Sequence, residues 1–254
     1  MMRIRVAAVH HQGKVITLSI LKRLTLNISA KFRQILPAQP CMLCGGMSGN
    51  GLCCKACEAS LPYLDAAHCP RCALPSSQGE ICGHCLKQPP VFTRTIAVFS
   101  YQFPLDKLIQ ALKYQQQLAL ADFFACKLLQ KIDPNNLPDY LIAMPLHPAK
   151  LRRRCFNQAQ LIAAILARKL KLPLLPHACQ RLRDTPSQTT LPWRERNKNM
   201  QGAFHCEMDF SGKRVALIDD VLTTGASLNA LADAVQKCWA LEISAWVVAR
   251  TVKD

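Results

Sequence analysis

Between residues 91 and 254 the chain carries two kinds of apolar pattern. Short unbroken apolar runs occur at 94–101 (RTIAVFSY), at Tyr140–Met144 just before Pro145, at Arg214–Ile218 and at Ile243–Ala249. Runs of this length, bounded by proline, glycine or charge, predict buried strands. Between them apolar residues recur every three or four positions. Leu105–Gln117 and Leu118–Lys131 predict two helices. A third is predicted over 149–170, with Phe156, Ala159, Ala163, Leu166 and Leu170 on one face. A fourth covers Ser227–Cys238, with Leu228, Leu231, Ala232, Val235 and Cys238 facing inward. Strands alternating with helices predict a parallel α/β sheet, closed by 243–249, with ligands at the carboxyl ends of its strands. Residues 184–200 follow neither pattern. They are polar, basic and punctuated by Pro186 and Pro192, which predicts a long loop of functional use.

Upstream, cysteines set the pattern. Cys41-x₂-Cys44-x₉-Cys54-x₂-Cys57 recurs as Cys69-x₂-Cys72-x₉-Cys82-x₂-Cys85, offset by 28 residues, and Gly51/Gly79 and Pro62/Pro90 share the offset. Each Cys-x₂-Cys places two thiolates on one turn, and two such turns complete a tetrahedron around Zn²⁺. Two closed, structural Cys₄ zinc sites are therefore expected. Spacing leaves open whether the knuckles pair in order or interleave. Cys53 or His84 could substitute as a ligand only by breaking the repeat. Cys126, Cys155, Cys179, Cys206 and Cys238 are scattered and read as buried or tolerated thiols.

Fourteen cysteines in a secreted chain would suggest disulfides. The run Val15–Leu21, however, is short, flanked by Lys14 and Lys22, and followed by no small-residue cleavage site. No apolar stretch is long enough to span a bilayer. A cytoplasmic protein with reduced thiols is expected.

Half of the 254 residues are apolar, which suffices for a packed core and excludes a disordered chain. The formal charge of +16 changes the picture more. It sits in two places: residues 1–40 hold seven Lys/Arg and no acid, and residues 150–198 hold twelve against Asp184 and Glu195. Such patches favour phosphate, pyrophosphate, nucleic acid or an acidic membrane surface. Single-strand binders add aromatic stacking. Trp193 is the only aromatic between Phe156 and Phe204, which counts against a dedicated nucleic-acid groove.

The segment Val215–Ser227 (VALIDDVLTTGAS) carries the chemistry. A buried strand delivers Asp219 and Asp220 to its carboxyl end, and a hydroxyl- and glycine-rich loop then opens a helix. A helix N-terminus offers free N–H groups and a positive dipole end to phosphate. Gly225 allows close backbone approach, and Thr223, Thr224 and Ser227 add hydroxyls. Paired carboxylates suit ribose hydroxyls and water on Mg²⁺. The string is neither a Walker A loop nor a G-x-G-x-x-G fingerprint. Two acids alone would serve equally as a turn capping a helix; the whole string reads as a phosphate site.

That string resembles the phosphoribosyl-pyrophosphate motif of type I phosphoribosyltransferases. Residues 36–252 resemble the ComF family, GntX-like proteins associated with competence and DNA utilisation. The resemblance rests on the double ribbon, Met144–Gln158 (MPLHPAKLRRRCFNQ), Arg183–Gln188 (RDTPSQ), Arg196-Asn197 and Gly202–Phe204. It implies a Rossmann-like, mainly parallel α/β core at 91–254, a double zinc ribbon at 36–90 and a basic extension at 1–35. It also implies Mg²⁺-dependent binding of phosphoribosyl pyrophosphate or a ribose 5-phosphate compound, with phosphoribose passed to or from a base-like acceptor. Catalysis would be positioning and charge stabilisation of an oxocarbenium-like state.

Carried onto this chain, the 5′-phosphate falls to Val221, Leu222, Thr223, Thr224, Gly225, Ala226 and Ser227. Asp219 and Asp220 take the ribose hydroxyls and, through water, Mg²⁺. Pro145, Leu146 and His147 resemble the pyrophosphate loop, with Arg154, Asn157 and Gln158 beside it. His147 as a general acid or base ranks below His147 as a plain loop residue. Residues 184–200 would close over the site, bringing Arg194, Arg196 and Lys198 to the leaving group. Cys155 stands where the family has Gly, which bears on the backbone at Arg154. The ribbon would replace the hood that selects the base. The family also implies a DNA-uptake setting, with single-stranded DNA and a helicase-like ATPase as partners. The alternative is a non-catalytic competence factor that uses the site as a sensor and the ribbons for protein or single-stranded DNA.

Overall fold

The computed structural model describes residues 39–49, 51–64, 67–184, 200 and 202–252. The basic extension, Arg194, Arg196 and Lys198 lie outside these residues. Strands and helices are numbered in chain order among the described residues.

Four strands form the core sheet: β1 (Arg94–Ser100), β2 (Tyr140–Ala143), β5 (Arg214–Leu222) and β6 (Glu242–Arg250). They run parallel in the order β1-β6-β5-β2. A chain with this topology must put helices on the sheet faces. Those helices are α3 (Leu105–Tyr114), α4 (Ala119–Leu129), α6 (Gln158–Leu170) and α7 (Ala226–Gln236). This is the Rossmann-like, mainly parallel α/β core that the resemblance implies.

Three expectations need correction. Residues 243–249 do not close the sheet at an edge; β6 lies between β1 and β5, and Ile243–Arg250 are all buried. A strand flanked on both sides and covered on both faces needs the near-continuous apolar run seen there. Next, β5 runs on to Leu222, because β6 offers it partners throughout (Asp219 opposite Val247, Val221 opposite Ala249). The acids therefore lie inside the strand. Finally, 149–170 is two helices, α5 (Pro148–Arg154) and α6. Cys155 caps α5 in the left-handed region at φ 66°, and Asn157 starts α6 by accepting from the Ala159 and Gln160 N–H groups.

A separate antiparallel pair, β3 (Cys179–Arg181) and β4 (Phe204–Cys206), brackets residues 182–203. Strands of three residues are too short to show a period, so sequence patterning missed them. Their register sets Cys179 opposite Cys206 with Cα atoms 4.2 Å apart, and the two form a disulfide. This corrects their reading as separate thiols.

The ribbons carry the short helices α1 (Lys55–Ala59) and α2 (Gly83–Lys87) and pack on the core within one compact unit that begins at Pro40. Pro62, Leu64 and Pro70 lie along the free edge of β1. The Ser100 N–H donates to the Pro62 carbonyl (2.8 Å), the Leu64 N–H to the Val98 carbonyl (2.9 Å) and the Thr95 N–H to the Pro70 carbonyl (2.8 Å). An uncovered edge invites other strands; here the ribbons occupy it. Two buried cations add ties. Lys127 of α4 pairs with Glu58 of α1 and lies 5.8 Å from the Tyr63 ring. Arg250, ending β6, donates to the Cys72 carbonyl at 2.7 Å.

Candidate active site

Asp219 and Asp220 are both buried near the carboxyl end of β5. Strand alternation sends their side chains to opposite faces, and the surroundings divide them further. Burial, then the neighbouring Asp220 charge, pushes Asp219 well above the ordinary carboxylate range. Burial acts the same way on Asp220, but the Lys113 ammonium outweighs it and holds Asp220 below that range. Lys113, from the last turn of α3, forms an ion pair with Asp220. Gln158 also hydrogen-bonds Asp220, while its Oε1 accepts from Arg154 at 2.7 Å. Arg154 in turn stacks over Tyr114 at 5.2 Å.

Pattern reading placed Arg154 and Gln158 here; it missed Lys113. A single lysine on an amphipathic helix carries no signal that separates it from a solvated one. Asn157 sits nearby with its side chain committed to structure. Its Oδ1 caps α6 and its Nδ2 donates to the Met144 carbonyl at 3.0 Å, fixing the loop 145–147 against the end of β2. His147 Nδ1 accepts from the Ala149 N–H at 3.3 Å and lies 3.9 Å from Asp184.

On this side of the acids the charge is positive. Lys113, Lys150, Arg153 and Arg154 line a pocket of about 320 Å³. Burial and the Arg181 charge lower the Lys150 pKa, with Asp184 at 3.5 Å opposing. Arg181 of β3 stacks 5.5 Å from the Phe204 ring and feels Asp219 and Asp184. It too escaped the sequence reading, because β3 did.

On the other side, Thr223–Ala226 form a turn into α7 with Gly225 at φ 85°. An added Cβ there would meet only Leu222 Cδ1 at 3.6 Å, so conformation, not space, calls for glycine. The loop faces a cavity of about 600 Å³ whose far wall is the second ribbon: Cys72, Leu74, His84 and Cys85. The Asn229 Oδ1 of α7 accepts from the Val91 N–H at 2.7 Å, tying the ribbon's exit to α7.

The eight ribbon cysteines form two groups in sequence order, Cys41/Cys44/Cys54/Cys57 and Cys69/Cys72/Cys82/Cys85, with sulfurs within 4.8 Å of one another. This settles the pairing left open by spacing. The Cys44–Cys54 and Cys72–Cys82 sulfurs are 3.9 and 3.6 Å apart, near the ~3.8 Å edge of a tetrahedron with Zn–S bonds of about 2.3 Å. Burial opposes ionisation of Cys41, but the Cys44 and Cys54 N–H groups outweigh it and bring the thiol down to about 6. Hydrogen bonds to Cys54 and Cys44 send Cys57 up to about 12. In the second group the same balance puts Cys69 at about 7, and burial lifts Cys72 to about 11. The donor set fits Zn²⁺, and closed four-sulfur shells make both sites structural.

The double zinc ribbon domain family matches residues 32–86. Beyond the ribbon, the chain is 33% identical over 225 residues to competence protein F of Haemophilus influenzae, covering 83% of this chain and 96% of that one. The chain belongs to the ComF family. Other ComF relatives include DNA utilization protein YhgH of Escherichia coli K12, 31% identical over 206 residues (78% of this chain, 90% of that one). Competence protein ComFC of Bacillus subtilis is 24% identical over 190 residues (69% and 74%). Among solved structures, Leishmania donovani UMP synthase overlays with a TM-score of 0.33 at 18% identity, over 56% of this chain and 24% of its own. Purine phosphoribosyltransferase from Pyrococcus horikoshii overlays at 0.29 and 18%, over 62% and 87%. Overlays that distant add nothing to the ComF assignment. Among the described residues no helix is long and apolar enough to cross a membrane.

Proposed function

We propose that this ComF protein binds phosphoribosyl pyrophosphate, or a related ribose 5-phosphate compound, with Mg²⁺ and transfers phosphoribose to or from a base-like acceptor. One observation carries the reading. Asp220 pairs with Lys113 of a cation-lined pocket, and the strand that carries both acids runs on into the Thr223–Ala226 loop, which faces a cavity walled by the second ribbon. A substrate with a pyrophosphate at one end and a 5′-phosphate at the other needs that polarity.

Thr223, Thr224, Gly225, Ala226 and Ser227 take the 5′-phosphate through backbone N–H groups and hydroxyls. Val221 and Leu222 shape the approach. Asp219 and Asp220 hold the ribose hydroxyls. Pro145, Leu146, His147, Lys150 and Arg154 receive pyrophosphate, with Arg194 and Arg196 as further candidates. The buried acid pair, with a single lysine against it, fits a hard dication; Mg²⁺, held through water, would neutralise leaving-group charge. The C1–oxygen bond breaks with its electron pair departing on pyrophosphate, and an acceptor nitrogen lone pair forms the new bond to C1. The chain supplies orientation and charge, with no protein nucleophile. The ribbon residues that line the cavity support an acceptor site there, with the ribbon in the position of a hood.

The names of the relatives support a setting in competence and DNA utilisation, and the proposal adds a cytoplasmic location with single-stranded DNA and a helicase-like ATPase as partners. The second reading, a non-catalytic sensor, is favoured by the structural, closed nature of both zinc sites. Calorimetric titration of phosphoribosyl pyrophosphate with and without Mg²⁺ separates the two. Mg²⁺-dependent binding lost in Asp219→Asn/Asp220→Asn, followed by pyrophosphate release with an acceptor, supports transfer. Binding without release across an acceptor screen supports the sensor, and no binding ends both.

A further inference from the structure

Arg250 also lines the cavity between the Thr223–Ala226 loop and the second ribbon. It is the last residue of β6, is 6% exposed, and spends its donors on backbone carbonyls. Nε donates to the Cys72 carbonyl at 2.7 Å. One terminal nitrogen donates to the carbonyls of Leu222 (2.8 Å), Thr251 (3.0 Å) and Thr223. The guanidinium thus spans from a ligand residue of the second zinc group to the first peptides of the phosphate loop. A planar fork with fixed donors suits that task, and a lysine does not.

The charges agree with the hydrogen bonds. A buried cation is costly unless paired, and the group that Arg250 touches through the Cys72 carbonyl is the second cysteine cluster. With zinc bound, four thiolates leave the site at a net charge of −2, and Arg250 neutralises part of it. Groups around a metal's ligands commonly fix their orientation and the metal's affinity. At its other end the contact acts on peptide planes. Because a peptide unit is planar, holding the Leu222 and Thr223 carbonyls also fixes the N–H groups of Thr223 and Thr224. The first ribbon has no such route, since its buried tie, Glu58 to Lys127, ends on α4.

We infer that Arg250 is a positioning residue that couples the second zinc site to the phosphate loop, so that metal in that site and a phosphoryl ligand on the loop strengthen each other's binding. The ligand half rests on the reading of Thr223–Ser227 as a phosphate site; the mechanical half does not. Coupling of this kind is reciprocal, with factors of about 5–150 between binding sites.

The test uses the full zinc-loaded chain and two readouts. Hydrogen–deuterium exchange of peptides covering 222–227 needs no ligand. Arg250→Lys and Cys82→Ser should each speed exchange there about tenfold, while Cys54→Ser, which damages the first site, leaves it unchanged. Unchanged exchange in Arg250→Lys, or equal acceleration by both cysteine variants, overturns the inference. If Cys82→Ser fails to fold, Arg250→Lys against wild type still decides. The second readout is zinc release to a chromogenic chelator. Phosphoribosyl pyrophosphate with Mg²⁺ should slow one of two zinc equivalents at least fivefold, and should do so for neither in Arg250→Lys. A wild type that binds the ligand by calorimetry yet shows no slowed equivalent also overturns the coupling. A wild type that binds no ligand defeats the phosphate reading alone, and exchange then judges Arg250.

Discussion

Asp219 and Asp220 share a chemistry and adjoin in sequence, yet the fold gives them opposite proton affinities. Each therefore answers mutation differently. Asp220→Asn strips Lys113 of its buried partner, and breaking a pair of this kind costs about 3 kcal/mol; thermal melts should show the loss. Asp219→Asn removes a carboxyl whose folded-state pKa is raised. Such a group binds more protons folded than unfolded, so it lowers stability as pH rises from the ordinary carboxylate value through the raised one. The Asn variant should melt higher than wild type at neutral pH, by roughly 2–4 °C for each kcal/mol recovered, while losing Mg²⁺-dependent binding. For the same reason binding in the wild type should strengthen with rising pH as Asp219 ionises, and a profile that stays flat above the ordinary carboxylate range would contradict the assignment. At Cys155 the left-handed backbone is present although glycine is not. Cys155→Gly should stabilise by up to about 1 kcal/mol, read as a shifted urea midpoint at constant slope. The acids and the glycine position were legible because they sit in strings. Lys113 and Arg250 were not, since each is one of 32 basic residues and its importance comes from a partner far along the chain.

Elements were legible where they were long. The four core strands and the helices on them showed their periods, with ends shifted by a few residues because tertiary partners decide where pairing stops. The split between α5 and α6 was hidden: Cys155 and Asn157 interrupt the helix without disturbing the apolar spacing on either side. The β3–β4 pair was hidden by brevity, and so was its disulfide, since pairing depends on register. That link closes a loop with a sequence separation of 27 residues, for which chain entropy gives about 3.5 kcal/mol. Oxidised protein should thus unfold at higher denaturant than protein in excess reductant, and mass spectrometry should find one peptide pair joined through Cys179 and Cys206. Cys206→Ser should abolish the difference.

At the scale of the whole molecule, ribbons and core are one structure. The ribbons line β1, bury Lys127 and Arg250 at the junction, and share a cavity with the phosphate loop. Excising residues 36–90 would bare that edge and strand two cations, so the remainder should be recovered insoluble. Chelation should lower the melting temperature of a single transition rather than reveal a separate ribbon step. The repeat announced the ribbons and the alternation announced the sheet; nothing in either said which edge one would cover, because that follows from strand order. Strand order has a temporal side as well. β6 leaves the ribosome after the other described strands and yet lies between β1 and β5. Until β6 has been made, no strand among the described residues joins the ribbon-bearing half of the sheet to the half bearing the acids. Both four-cysteine groups are complete once Cys85 has been made, but the arginine that ties the second to the Thr223–Ala226 loop is synthesised 165 positions after its last ligand.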